Sequence, residues 1–179
     1  MTLYNKFHSY LNNADGNLPQ AFSQLAGDLF QNYILQAGEK TYWLTEIEFY
    51  YFADGHEDPF CKRQWVQPRE TKLPEVPSDQ FFFHYTGVDI SFDNDAPAGP
   101  KHTYGGILIR GLQDADSGDL LAGPLLCMCA LANNAQKTNS ALVLRPATVS
   151  RPGKAKWTSA HRIGLNPKTS AKYAAYAYR

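Results

Sequence analysis

Two glutamates and a tyrosine alternate along one predicted strand, residues 42–52. Successive side chains of a strand point to opposite faces, so Glu46, Glu48 and Tyr50 share one face, and the intervening apolar residues form the other. Two carboxylates and a phenol in one row can line a catalytic cleft, where a carboxylate orients water or stabilises a developing positive charge. The same pattern also fits the solvated face of a half-buried strand, and both interpretations stay open at this point.

An arginine ends the next strongly apolar segment. Arg110 follows the apolar residues 107–109 and precedes Gly111. A guanidinium at the end of a buried strand needs an anion or a carbonyl group as its partner. Glu48 is a candidate for that partner, either in a structural ion pair or in a catalytic site.

Four potential metal ligands cluster at residues 56–61. Their order, His56, Glu57, Asp58 and Cys61, matches neither a CxxC nor an HxxxH spacing, so no metal site is predicted. The sequence also has no glycine-rich phosphate loop and no serine nucleophile elbow. We therefore expect no metal and no cofactor.

The spacing of apolar residues predicts an α+β fold. Helices are predicted over residues 18–30 and 123–132, the second opening at Gly123-Pro124. The predicted strands are Tyr42–Phe52, Phe81–Phe92 with a kink or bulge at Gly87, Gly105–Leu112, Ala141–Leu144, His161–Leu165 and Tyr173–Tyr178. We expect one domain over residues 1–179, with a curved mixed, mostly antiparallel sheet and peripheral helices.

The composition is that of a globular protein, with 44% apolar and 19% charged residues. The uncharged stretch considered as a membrane span, residues 120–132, is too short for the ~20 residues that span a bilayer, and no secretory signal pattern is visible. Three cysteines indicate reduced thiols, and Cys127 and Cys129 are expected in the core of the second helix. We expect a cytoplasmic protein with no membrane partner.

A net charge of zero conceals a strong asymmetry between the two halves of the chain. Residues 1–100 contain 14 carboxylates and 6 lysines and arginines, whereas residues 137–179 contain nine lysines and arginines and no carboxylate. Such a segment creates a local positive potential that suits phosphate groups. The alternative is a basic edge that packs against the acidic half of the same domain.

Six motifs occur in a recognisable order along most of the chain. They are TEIEFY (45–50), EDPFCKR (57–63), FFFHYTG (81–87), ILIRGL (107–112), AGPLLCMCALA (122–132) and RIGL (162–165) followed by YAAYAYR. The set resembles the alkyladenine type of 3-methyladenine DNA glycosylase. That resemblance implies a monofunctional enzyme, expected to be a monomer, that flips a damaged purine out of DNA and hydrolyses its N-glycosidic bond in base-excision repair.

The resemblance also implies roles for individual residues. Glu48 matches the family's water-activating carboxylate, Tyr50 the aromatic that stacks on the flipped base, and Arg110 the buried arginine beside the carboxylate. Cleavage develops oxocarbenium character on the sugar, which a carboxylate can stabilise while it orients a water.

Other positions depart from the family pattern. Lys62 stands where the family has a pocket histidine, Phe83 where it has a second pocket tyrosine, and Asp93 near its pocket asparagine. Thr86 replaces the tyrosine that wedges into the emptied stack. Because threonine is too small to fill that gap, we expect mismatched, single-stranded or free purine targets to be preferred, unless Tyr85 or Trp65 supplies the wedge.

The expected phosphate contacts lie in the basic segment. They are Arg151, Lys154, Lys156 and Arg162. Two alternatives to a glycosylase remain: a non-catalytic or altered-specificity member of the same fold that binds nucleic acid, nucleoside or free base, and a small-molecule enzyme that uses the face of Glu46 and Glu48.

Overall fold

The computed structural model describes residues 2–61, 80–93, 103–148, 151 and 153–179. These residues form a single α+β domain. The helices are α1 (Leu3–Asn13), α2 (Leu18–Asn32), α3 (Pro124–Lys137) and α4 (Ala171–Ala174). The strands are β1 (Tyr33–Ala37), β2 (Lys40–Ala53), β3 (His56–Glu57), β4 (Phe81–His84), β5 (Gly87–Asp93), β6 (Tyr104–Asp114), β7 (Leu120–Ala122) and β8 (Leu142–Pro146).

The strands form one curled sheet in the order β4-β5-β6-β2-β1-β8, with β3 added to β2 and β7 added to β6. Every pairing among the described strands is antiparallel. The predicted α+β class is therefore confirmed. The parallel pairs of the expected mixed sheet do not occur between described strands, because neighbouring strands are connected as hairpins or by returns that reverse direction.

Helices α1 and α2 cover one face of the sheet. Their first turns are capped by Thr2 and Asn17, whose side chains accept hydrogen bonds from backbone N–H groups three residues on. Phe22 of α2 stacks on Phe49 of β2 at 4.5 Å between ring centroids, and Phe7 of α1 stacks on Phe22 at 5.1 Å. None of the helices in the described ranges has the length and apolar character to span a bilayer.

Strand β2 alternates as predicted, and a bulge resets its phase at Thr45. Ile47 and Phe49 face the helices in the main core, whereas Glu48 and Tyr50 face the other side of the sheet. The register between β2 and β6 shifts on both sides of Glu46. A Cβ atom on the facing Gly111 would lie 2.5 Å from the Thr45 hydroxyl, so the bulge requires glycine there.

Three strand predictions are wrong. Residues 81–92 form the hairpin β4–β5 with Tyr85 and Thr86 in the turn, instead of one strand bulged at Gly87. Residues 161–165 and 173–178 include no strand, and α4 overlaps the start of the second range. The C-terminal segment is instead held by single backbone contacts, such as the 2.7 Å bond from the Phe49 N–H to the Tyr178 carbonyl.

The two helix cysteines differ in environment. Cys127 is fully buried under the sheet, as predicted, but Cys129 is exposed. Their near-opposite directions on α3 explain the difference, because only one face of that helix packs on the sheet.

Candidate functional site

The sheet face opposite α1 and α2 carries a row of side chains that are brought together by strand register. Glu48 on β2 is paired with Leu108 on β6, Leu108 with Asp89 on β5, and Asp89 with Phe82 on β4. Directly paired residues of antiparallel strands point to the same face, so these four side chains form one line across the sheet.

Glu48 is the most enclosed carboxylate of this face, with no exposed surface. Its Oε1 accepts a short hydrogen bond from the Tyr50 hydroxyl. Its Oε2 accepts a 3.3 Å hydrogen bond from the Ile163 N–H and lies 3.3 Å from Nη1 of Arg110. The carboxylate is therefore held by one phenol, one backbone amide and one guanidinium.

Burial sets the proton affinity of this cluster. Burial raises the pKa of Glu48 above its ordinary value, although the hydrogen bond from Tyr50 and the charge of Arg110 act in the opposite direction. Burial, followed by the adjacent Glu48 charge, also raises the pKa of Tyr50. Tyr50 therefore keeps its proton at neutral pH and remains the donor to Glu48.

Arg110 bridges the two glutamates of the strand. Its Nε donates to Glu46 at 3.0 Å while its Nη1 faces Glu48. Glu46 also accepts a 2.9 Å hydrogen bond from Arg179, and its side chain is 37% exposed. Partial burial acts to raise the pKa of Glu46, but Arg179 and Arg110 together hold it below its ordinary value. Arg110 thus has two carboxylate partners, Glu48, which was the predicted candidate, and Glu46.

Phe83 does not lie with these groups. It is paired with Val88, whose buried side chain belongs to the core face of the sheet, and Phe83 itself is 45% exposed at the sheet edge. Phe82 occupies the row of Glu48 instead. The correction follows from the hairpin turn at Tyr85 and Thr86, which fixes the parity of β4 differently from a bulge at Gly87.

The predicted DNA contacts separate into three environments, which are exposed, half-buried and buried. Lys154 and Lys156 are exposed. Arg151 is half-buried and donates to the carbonyls of Phe30 and Leu44 at 3.2 and 3.0 Å. Thr86, at the tip of the β4–β5 hairpin, is exposed beside Tyr85, which is 95% exposed.

Arg162 is the clear exception, because it is buried. Its Nη1 lies 2.6 Å from Oδ2 of Asp58, and both side chains have no exposed surface. The same guanidinium donates to the carbonyls of Phe49 and Tyr173 and lies 5.0 Å from the ring centre of Tyr50. The prediction of Arg162 as a phosphate contact is therefore wrong, and its role is to hold the C-terminal segment against β2.

Three residues named from the sequence cannot be placed. Lys62 and Trp65 lie outside the described residues, and so does the side chain of Asp93. The loop that was considered for metal binding has other functions in the described part of the chain. His56 contacts the Tyr51 carbonyl and the Tyr178 hydroxyl, and no group of three or more described His, Cys, Asp or Glu side chains is arranged to hold a metal.

Sequence reasoning missed several contributors to this face. His84 lies 2.7 Å from Asp89 through its Nε2, and Phe82 stacks on His84. The alternation of Phe82 and His84 along β4 was visible in the sequence, but their parity required the turn position. The Ile163 N–H left no sequence signal, since every residue except proline carries this group.

Comparison with known proteins gives a limited result. An uncharacterized protein of Acanthamoeba polyphaga mimivirus is 31% identical over 121 residues, which cover 58% of this chain and 52% of the viral protein. The chain thus spans about half the length of that relative. No family model matches the sequence, and no solved structure matches the fold. The viral protein is itself uncharacterized, so the functional argument rests on the residues described above.

Proposed function

We propose that this protein hydrolyses the N-glycosidic bond of damaged purines in DNA, with Glu48 as the base that activates water. The observation that carries the proposal is the environment of Glu48: a fully buried carboxylate on the polar face of the sheet, held by Tyr50, Arg110 and the Ile163 N–H. A carboxylate whose pKa is raised by burial and opposed by a specific cation is a typical feature of catalytic bases.

One lone pair of the Glu48 carboxylate has no partner among the described residues. An ionised carboxylate offers about four lone pairs, and the described partners of Glu48 use three of them. A water bound to the fourth would give a proton to Glu48 as its oxygen adds to C1′ of the sugar. The C1′–N bond breaks, its electron pair leaves with the purine nitrogen, and the carboxylate offsets the positive charge on the sugar ring.

Arg110 is a positioning residue in this scheme. It lies between Glu46 and Glu48, so its charge lowers the pKa of Glu48 against the larger, opposite effect of burial, and its contact fixes the direction of the carboxylate. Glu46 is half-exposed and is bound to Arg179 as well. Its role in this scheme is to hold Arg110, and it takes no part in the reaction.

One observation favours a second candidate function. Tyr50, which the family resemblance assigns to base stacking, is 8% exposed and has the Arg162 guanidinium 5.0 Å from its ring centre. A base can stack on Tyr50 only on ring surface that Arg162 does not cover. This supports an altered-specificity or non-catalytic member of the same fold, in which stacking on Tyr50 does not hold the base.

The test is incubation with oligonucleotides that carry alkylated, deaminated or etheno purines, scored for abasic sites. Each lesion is placed in paired, mismatched and single-stranded contexts, because Thr86 offers no bulky wedge while the neighbouring Tyr85 is exposed. We expect release to be best in the mismatched or single-stranded context. Clear preference for the paired duplex would instead assign the wedge to Tyr85.

The decisive variants lie on one strand. Glu48→Gln should lower base release by at least ~100-fold while DNA binding persists, because the change removes the charge and keeps the shape. Glu46→Gln is the matched control, on the same strand with the same arginine partner, and should retain most activity. Binding without release by the unmodified protein would support the second candidate, and full activity of Glu48→Gln would place the chemistry elsewhere.

A further inference from the structure

A cavity of about 640 Å³ lies away from the Glu48 carboxylate, between α2, the bulged part of β2 and the segment 153–160. Its volume is within the range of sites that enclose small molecules. The segment that closes it is held by side chains of α2: the Trp157 indole N–H donates to the Ser23 hydroxyl at 3.2 Å, and the Ala155 N–H donates to Gln31 at 2.8 Å.

The charge of this cavity is one-sided. Four cationic side chains line it, and the carboxylate among its lining residues is Glu46, which is already paired with Arg110 and Arg179. Lys154 and Lys156 are exposed and form no ion pair with a described carboxylate. The cavity therefore has excess positive charge that a bound anion would neutralise. The four cationic residues are Arg151, Lys154, Lys156 and Arg179.

The Arg151 guanidinium is held in place by the residues around it. Its Nη1 donates to two backbone carbonyls, and its Nη2 donates to the Gln113 side chain at 3.1 Å. These contacts fix the guanidinium and leave its Nε–H and one Nη2–H without a partner in the described part of the chain. Burial lowers the pKa of Arg151, as expected for a guanidinium with no carboxylate beside it. Two free N–H groups on one fixed guanidinium suit a phosphate.

The wall beside these cations is aromatic. Trp157 is 44% exposed, and its indole packs directly on the helix at Gly27, where a Cβ atom would lie 2.4 Å from the ring. Phe22 and Phe30 of α2 also line the cavity. A half-exposed aromatic ring in the wall of a cavity offers a stacking surface for a planar ligand, and base stacking contributes about 1–3 kcal/mol in nucleic-acid complexes.

We propose that this cavity binds a mononucleotide, with its phosphate on Arg151 and its base against Trp157. Lys154 and Lys156 add long-range attraction, and the hydroxyl-bearing residues Thr158 and Ser159 of the lining can contact the sugar. The proposal is independent of glycosidic chemistry, since Glu48 is not among the lining residues.

The test uses the full chain and defined probes: AMP, ribose 5-phosphate, inorganic phosphate and a 5′-phosphorylated single-stranded oligonucleotide, each titrated by calorimetry. We expect saturable one-to-one binding of AMP, at least tenfold tighter than that of ribose 5-phosphate or inorganic phosphate, because only AMP can stack on Trp157. Absence of AMP binding, equal binding of ribose 5-phosphate, or binding of the oligonucleotide alone would overturn the proposal.

Variants locate the site. Arg151→Gln should weaken AMP binding at least tenfold, and Trp157→Leu should remove the advantage of AMP over ribose 5-phosphate. Since Arg151 also holds two carbonyls of the core, the double variant Lys154→Gln/Lys156→Gln provides a surface test and should weaken binding several-fold. Lys168→Gln, an exposed lysine outside the lining, is the control, and Glu48→Gln should bind AMP normally even if it releases no base. Unchanged AMP affinity in the cavity variants would overturn the assignment.

Discussion

Two arginine–carboxylate pairs meet at Tyr50 and differ in how their charges are balanced. In the first, Arg162 and Asp58 lie 2.6 Å apart with no exposed side-chain surface. In the second, Arg110 is shared by two carboxylates, at 3.0 Å from Glu46 and 3.3 Å from Glu48. Arg162 lies over the ring of Tyr50, whereas Glu48 accepts a hydrogen bond from its hydroxyl.

The difference separates structural from reactive electrostatics. Asp58 has a guanidinium of its own, and Arg162 also donates through Nη1 to a backbone carbonyl of β2 and through Nη2 to one of the C-terminal segment. Glu48 shares the Arg110 guanidinium with Glu46, and burial raises its pKa. A balanced buried pair holds elements together, whereas a carboxylate that remains under-stabilised keeps an affinity for protons that catalysis can use.

The largest expected effect is on the structural pair. Asp58→Asn leaves the Arg162 charge buried without a counter-ion, which typically costs about 3–5 kcal/mol of unfolding free energy. Urea denaturation followed by circular dichroism measures this loss. Asp54→Asn, in the exposed turn before β3, is the control and should leave the free energy of unfolding essentially unchanged. A small effect of Asp58→Asn would mean that the two pairs are not different in kind.

The second prediction concerns the shared arginine. Arg110→Met removes the cation beside Glu48, so the pKa of Glu48 should rise further. The acid limb of the pH–rate profile for base release should move to higher pH, and activity at neutral pH should fall about tenfold or more. Glu46→Gln leaves the Arg110 charge to Glu48 alone, so the limb should move in the opposite direction, to lower pH. An unmoved limb in Arg110→Met would show that Arg110 does not control Glu48.

The third prediction has the opposite sign to the first. Because the folded protein raises the pKa of Glu48, the folded state binds this proton more tightly than the unfolded chain. The stabilisation is complete below the ordinary pKa of 4.5 and is lost as the pH rises through the folded value. Glu48→Gln imitates the protonated form, so its Tm should exceed that of the unmodified protein at pH 7.

Thermal melts between pH 4 and pH 8 check this sign. The Tm advantage of Glu48→Gln should shrink as the pH falls toward 4.5, where the unmodified carboxyl becomes protonated as well. Glu46→Gln should show no such gain, because its arginine partners lower the pKa of that carboxyl. A lower Tm for Glu48→Gln at pH 7 would place Glu48 among the structural charges.

Local pattern predicted one of these pairs and not the other. The period of two along β2 placed Glu48 and Tyr50 on one face, and the position of Arg110 at the end of an apolar run required an anion. Arg162 stands in a segment without carboxylates, so counting charges along the chain predicted a free cation. Its partner lies 104 residues away, and only the fold brings Asp58 to it.

Which β4 side chains share the face of Glu48 also depended on a turn that the sequence did not predict. Tyr85 and Thr86 form the β4–β5 turn without the glycine or asparagine that typical two-residue hairpin loops contain. Since the side-chain period of a strand is two, this turn position brought Phe82 to the face of Glu48 and took Phe83 to the other. Class and core were therefore predictable from periodicity, whereas the membership of the site was not.

The smallest expected effect is on the salt dependence of DNA binding. It concerns cationic side chains that have no carboxylate partner among the described residues. Arg162 is neutralised by Asp58, and Lys40 is paired with Asp114 at 2.9 Å, whereas Lys154 and Lys156 are exposed in the carboxylate-free segment. If the protein binds duplex DNA through that segment, Lys154→Gln and Lys156→Gln should each reduce the slope of log affinity against log salt by about one, because one fewer phosphate is neutralised. Fluorescence anisotropy between about 50 and 200 mM salt resolves such a change. Lys40→Gln should leave the slope unaltered, since its charge is already balanced within the fold. Equal slopes for all three variants would show that Lys154 and Lys156 contact no phosphate.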